Sequence, residues 1–125
     1  MPPALDGVSY FAMTGHTHHL GTSVTVGAAA NATSQATSLY APTPYDWDSP
    51  VLVPLSPPAK LPTGGGFVLK CDWNNTTNAT VTFGESALAE MCFFWAYYYP
   101  KKTVPNLIIE GLGPVDAALA MSLGF

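Results

Sequence analysis

The sequence predicts an all-β fold, an antiparallel β-sandwich of jelly-roll-like type in a single domain. Three observations carry this expectation. Short stretches recur that are β-branched and aromatic or that alternate polar with apolar, which is the pattern of a half-buried strand. Clusters of Gly, Pro and Asn separate them. Prolines at 42, 44, 50, 54, 57, 58 and 62 leave no room for a regular helix in the middle of the chain. The length of 125 residues fits one domain. We assign 1–102 to the sandwich and 103–125 to a C-terminal extension of unclear role.

Taken in order, Val8-Ser9-Tyr10-Phe11-Ala12-Met13 reads as the first strand. Thr22-Ser23-Val24-Thr25-Val26 alternates and reads as the second. Residues 27–38 are small, polar and Ala-rich, so a loop or hairpin tip is expected, with a short strand at Leu39-Tyr40. Within the proline-rich stretch only Val51-Leu52-Val53 reads as a strand. Thr63-Gly64-Gly65-Gly66 is a turn, and residues 67–73 are a strand. Residues 74–78 form a polar turn, and 79–83 alternate again. Residues 85–91 favour a helical turn. Residues 92–99 are aromatic on both faces and predict a central strand that stops at Pro100. Beyond it, Leu107-Ile108-Ile109 predicts a last strand, and 114–123 a short helix with Pro114 at its first position.

Composition excludes several classes of function. Only 10% of residues are charged while 48% are hydrophobic, so the chain is not disordered. The basic residues are Lys60, Lys70, Lys101 and Lys102, with no Arg, which argues against nucleic acid as a partner. No apolar run approaches the roughly 20 residues needed to cross a bilayer, so no membrane span is expected. The first residues, Met1-Pro2-Pro3-Ala4-Leu5-Asp6, lack the basic and apolar regions of a signal peptide. They suit either a cytosolic chain or a mature or excised domain. Asn31, Asn74, Asn75 and Asn78 fit the glycosylation pattern but are equally good turn formers, the reading we favour.

All three histidines lie in Gly15-His16-Thr17-His18-His19-Leu20-Gly21. If the first strand runs on through them, His16 and His18 share a face, about 7 Å apart along the strand. Two imidazoles so placed can converge on one metal ion, whereas His19 points the other way. Imidazole suits zinc, copper, iron and nickel, so the pair alone does not choose the metal. The plainer alternative is two solvent-facing or hydrogen-bonded histidines. Taken alone, Met91 reads as a core methionine. Met13 and Met121 are the competing thioethers, and Met13 has the wrong spacing to share a face with His16. Cys71 and Cys92 sit on two predicted strands and suffice for one bridge, the alternative being two buried thiols.

The run Phe83-Gly84-Glu85-Ser86-Ala87-Leu88-Ala89-Glu90-Met91-Cys92 continues to Tyr97-Tyr98-Tyr99-Pro100. Together with His16-Thr17-His18-His19-Leu20-Gly21 it resembles the C-terminal catalytic domain of the copper type II, ascorbate-dependent monooxygenases. That family includes peptidylglycine α-hydroxylating monooxygenase and dopamine β-hydroxylase. The resemblance spans about residues 8–100. It implies a copper site of two histidines and one methionine, carried over to His16, His18 and Met91. In the family this copper binds oxygen and abstracts substrate hydrogen. A thioether favours Cu(I) while imidazole serves both copper oxidation states. Three protein ligands also leave a position open. The resemblance further implies a Cys71–Cys92 disulfide, which would tie Met91 to the 67–73 strand. A disulfide in turn implies an oxidising compartment, hence a secreted or periplasmic protein.

The sequence departs from the family beyond Pro100. The family's second, three-histidine copper, which supplies electrons from a preceding domain, cannot be built from the histidines present. The expectation is therefore a mononuclear copper-binding domain, the oxygen-activating half of a monooxygenase without its electron-supplying domain. Such a domain takes dioxygen or peroxide, a small organic substrate, and electrons from an upstream copper domain or another donor. With no arginine to hold a carboxylate, a peptide substrate is not supported. The competing expectations are a copper carrier or sensor module without turnover, and a structural sandwich without metal.

Overall fold

A computed structural model describes residues 5–102. Six strands follow one another: β1 (Ser9–His16), β2 (Gly21–Ala29), β3 (Thr37–Tyr40), β4 (Val53–Ala59), β5 (Gly66–Trp73) and β6 (Phe93–Tyr99). They form two three-stranded sheets, ordered β4-β1-β6 and β3-β2-β5, with every pairing antiparallel. The expected all-β sandwich is what the chain adopts. Among the described residues no helix is long and apolar enough to cross a membrane.

The core lies between the sheets. Tyr10 and Met13 reach it from β1, Val24 and Val26 from β2 and Tyr40 from β3, joined by Leu5 and Val8. Phe67, Leu69 and Cys71 of β5, and Phe94, Ala96 and Tyr98 of β6, pack against this cluster. Each fully buried aliphatic side chain contributes about 1.5–3 kcal/mol, so the alternation along β2 and β5 fixes which face turns inward.

A β-bulge in β1 decides where the first histidine points. The register shifts between Tyr10 and Ala12 against both neighbours, and against β6 it leaves Phe11 as an extra residue. Such an insertion re-aims the side chains that follow it. Tyr10 and Met13, three residues apart, therefore both face the core. Gly15 also faces inward, where a Cβ would stand 2.6 Å from Val24 Cγ1. His16 consequently projects from the outer face of its sheet. Without the extra residue, strict alternation from Tyr10 would have turned it into the core.

Five local expectations need correction. β4 is longer than predicted and runs through Pro54, Pro57 and Pro58. Among the described residues it pairs only with β1, and an edge strand tolerates prolines because its outward N–H groups need no partner. β6 is an edge strand of its sheet rather than a central one, and β1 is central. Residues 79–83 form no strand; a single bridge, Phe83 to Glu90, is all that remains of the expected pairing. Residues 85–91 contain a turn, closed by Ala89 N–H on Ser86 O at 2.9 Å, and no helix. β2 also runs on through residues 27–29, taken above for loop. Asn31 and Asn75 build turns as expected, their side-chain oxygens accepting N–H bonds from Thr33 and Thr77, both at 3.0 Å. The predicted strand at 107–109, the helix at 114–123 and Met121 lie outside the described residues.

Two of the four links that cross between the sheets meet at one end of the sandwich. Residues 17–20 carry the chain from β1 to β2, and residues 74–92 carry it from β5 to β6. His16 pairs with Phe93, and Gly21 with Trp73. The histidine turn and the residues leading into β6 are thereby brought side by side.

Candidate metal centre

The histidine turn is shaped by the residues between its imidazoles. Thr17 is fully buried. Its N–H donates to Tyr45 Oη at 3.1 Å, and the two hydroxyls are hydrogen-bonded at 3.2 Å. With Thr17 anchored inward, His16 and His18 are left on its outer side. The turn closes through Gly21 N–H on His18 O at 3.0 Å. Glycine is required at 21 because a Cβ there would collide with Thr17 Oγ1 and Cβ.

The result brings His16 and His18 together. Their ring centroids are 5.4 Å apart and their planes are nearly perpendicular, at 86°. The expected pairing holds, although β1 stops at His16 and it is the turn that presents His18. His19 is exposed and lies against Trp47 instead, with centroids 6.3 Å apart. Trp95 of β6 stands edge-on to His16 at 5.6 Å. Burial, and secondarily the neighbouring His18, push the His16 pKa below its ordinary value, against a smaller upward pull from Glu90. The neutral form so favoured is the one that ligates metals.

The four residues from Ala89 to Cys92 run alongside this pair. Ala89 O lies 2.9 Å from His18 Nδ1. A carbonyl only accepts, so Nδ1 carries the proton and the neutral ring keeps its Nε2 lone pair free. Glu90 is buried, and its Oε2 accepts the His18 main-chain N–H at 2.9 Å and the Trp73 Nε1–H at 2.9 Å. Its Oε1 accepts the Leu20 N–H at 2.7 Å. Cys92 is disulfide-bonded to Cys71 of β5, with Cα atoms 5.9 Å apart, as expected. Met91 stands between Glu90 and Cys92 and is half-buried. The β1–β6 ladder ends at His16 and Phe93, so Met91 lies two residues before the start of β6.

The competing thioether is on the wrong side. Met13 is fully buried in the core, on the face of β1 opposite to His16. Sequence reasoning quoted Glu90 within a motif but gave it no role, and it missed Thr17, Tyr45, Trp73 and Trp95. Glu90 carried one usable signal: it is a carboxylate directly preceding a candidate ligand in a chain with few charges. The other four look like ordinary core or surface residues until the turn is folded.

The donor chemistry narrows which metal suits the site. Among the described residues no three His, Cys, Asp or Glu side chains are grouped to hold a metal ion. Two imidazoles suit copper among other metals, and a thioether added to them would favour copper. The family model described as copper type II ascorbate-dependent monooxygenase, C-terminal domain, matches residues 1–108. No curated protein and no solved structure matches the chain. With the match covering all six strands, the chain belongs to the family of C-terminal domains of the copper type II ascorbate-dependent monooxygenases.

Proposed function

We propose that the chain holds a single copper ion through His16, His18 and Met91 and forms the oxygen-activating half of a copper-dependent monooxygenase. The observation that carries this reading is the convergence of the His16 and His18 rings beside the segment that contains Met91. Copper held there supplies one-electron redox chemistry toward dioxygen or peroxide. The protein's own contribution is positional. Ala89 O fixes the His18 ring so that Nε2 is the nitrogen available to a metal. The disulfide anchors the residue next to Met91 to β5. Trp95 stands edge-on beside His16 and gives that side of the site an apolar surface.

The histidines of this chain are gathered in one turn, so a second, three-histidine copper has no ligands here. Electrons for a dioxygen reaction then come from another domain or donor, whereas peroxide brings both oxidising equivalents itself. The substrate is proposed to be a small organic molecule, since no arginine is present to clamp a carboxylate. The disulfide favours action in a secreted or periplasmic setting. A carrier or sensor with the same ligands differs from this reading in turning nothing over, so product formed with peroxide separates the two.

Met91 provides the direct test. Replacing it with alanine is expected to leave Cu(II) binding through the histidines and to weaken Cu(I) at least about tenfold, or about 1.4 kcal/mol. The reduction potential falls with it. X-ray absorption of the reduced parent protein should show sulfur scattering that Met91→Ala lacks. A reduced parent without sulfur scattering would make Met91 a packing residue and leave only the two histidines.

A further inference from the structure

Glu90 is a carboxylate that the sandwich holds at 8% exposure. Burying an ionisable group is unfavourable unless its hydrogen bonds are satisfied. Here the bonds come from three N–H groups: the main chains of His18 and Leu20, and the indole of Trp73. No lysine is paired with it; the ion pair found among the described residues joins Lys70 to Asp72. The donors come from both halves of the histidine turn and from the end of β5, so one side chain ties the turn that links the two sheets to the end of β5.

The placement is specific to His18. Ala89 takes the ring N–H of that histidine and Glu90 takes its main-chain N–H. Two consecutive residues thus hold both the backbone and the ring of one imidazole, and the next residue is Met91. A brace that served only the fold would have no need to grip that histidine twice.

We propose that Glu90 is the positioning residue of the metal centre, holding the His18 main chain where the Ala89 carbonyl meets the ring Nδ1–H and so keeping the ring in that tautomer beside the segment of Met91. The metal part of this proposal rests on the copper reading above; the part about the ring does not. Glutamine is the informative replacement because it keeps the volume. Oε1 and Oε2 both accept N–H bonds, so an amide must turn its own NH2 group toward at least one of the donors.

The test uses the full chain. Nitrogen-15 NMR of the histidine rings in metal-free protein reads the tautomer directly. The parent is expected to show His18 protonated at Nδ1, and Glu90→Gln to show both tautomers with the ring in exchange. Copper titration of the same variant is expected to show an affinity lowered by about 10–100-fold, as for other groups that orient a metal ligand. Glu85→Gln, an exposed carboxylate nearby in sequence, is the control and should match the parent. A Glu90→Gln protein that loses thermal stability but keeps the parent tautomer and affinity would overturn the proposal. If Glu90→Gln does not fold, Glu90→Asp, too short to reach all three donors, is read by the same criteria. If the parent and His16→Ala take up copper equally, the copper reading fails, and the tautomer result still decides the role of Glu90.

Discussion

The His16→Ala variant is expected to take up no copper at concentrations that saturate the parent chain. Groups that merely orient a metal ligand are worth about 10–100-fold in affinity, so deleting a ligand costs more than about 100-fold. His16 is the cleaner of the two histidines to remove. Its ring meets Trp95 and His18 edge-on and makes no hydrogen bond among the described residues, so the fold does not depend on it. His18→Ala should abolish uptake as well, but it also leaves the Ala89 carbonyl without its donor. Metal analysis after Cu(II) loading, with circular dichroism to verify the sheet, measures the effect. Unchanged uptake in both variants would end the assignment.

Removing the disulfide should have the largest effect on stability. Cys71 and Cys92 are 21 residues apart, and closing a loop of that size contributes about 3 kcal/mol in the chain-entropy model. The Cys71→Ser/Cys92→Ser double variant is expected to melt about 10–20 °C below the parent, given the unfolding entropy of a domain this size. Its second consequence is local. The bridge anchors the residue after Met91 to β5, so the double variant should lose Cu(I) affinity more than Cu(II) affinity. Calorimetry and a redox titration read the two effects separately. Equal melting temperatures for parent and variant would mean the link constrains nothing that the sheets do not already hold.

The parts of the fold legible in the sequence are those where one face alone decides. Along β2 and β5, apolar side chains at alternate positions meet the opposite sheet, so the period announces the strand. β4 was hidden because Pro54, Pro57 and Pro58 remove donors, and only its place at a sheet edge makes that harmless. β6 was misjudged as central because it carries aromatic residues on both faces. Its inner ones, Phe94 and Tyr98, do pack on the core. Of the outer ones, Trp95 borders His16, while Tyr97 and Tyr99 lie against the bulged Phe11 and stay about half exposed. Residues 79–83 have the alternation of a strand but lack a neighbour to pair with along their length.

The histidine pair was legible because spacing of two is a local property. Its orientation was not, because that depends on the insertion at Phe11, which leaves no mark in composition or period. Glu90 was illegible for a related reason. Its partners are at 18, 20 and 73, and no local pattern connects positions that far apart.

The protein contains three tryptophans, and each stands at the histidine turn. Trp95 meets His16, Trp47 meets His19, and Trp73 donates to the carboxylate that holds His18. Its entire indole emission therefore originates around one site. A paramagnetic, redox-active ion arriving there quenches light from every emitter the chain possesses, without a label. Copper occupancy becomes a bulk optical signal: emission should fall in proportion to Cu(II) added, break at saturation, and recover when a chelator withdraws the ion. The His16→Ala variant should stay bright throughout.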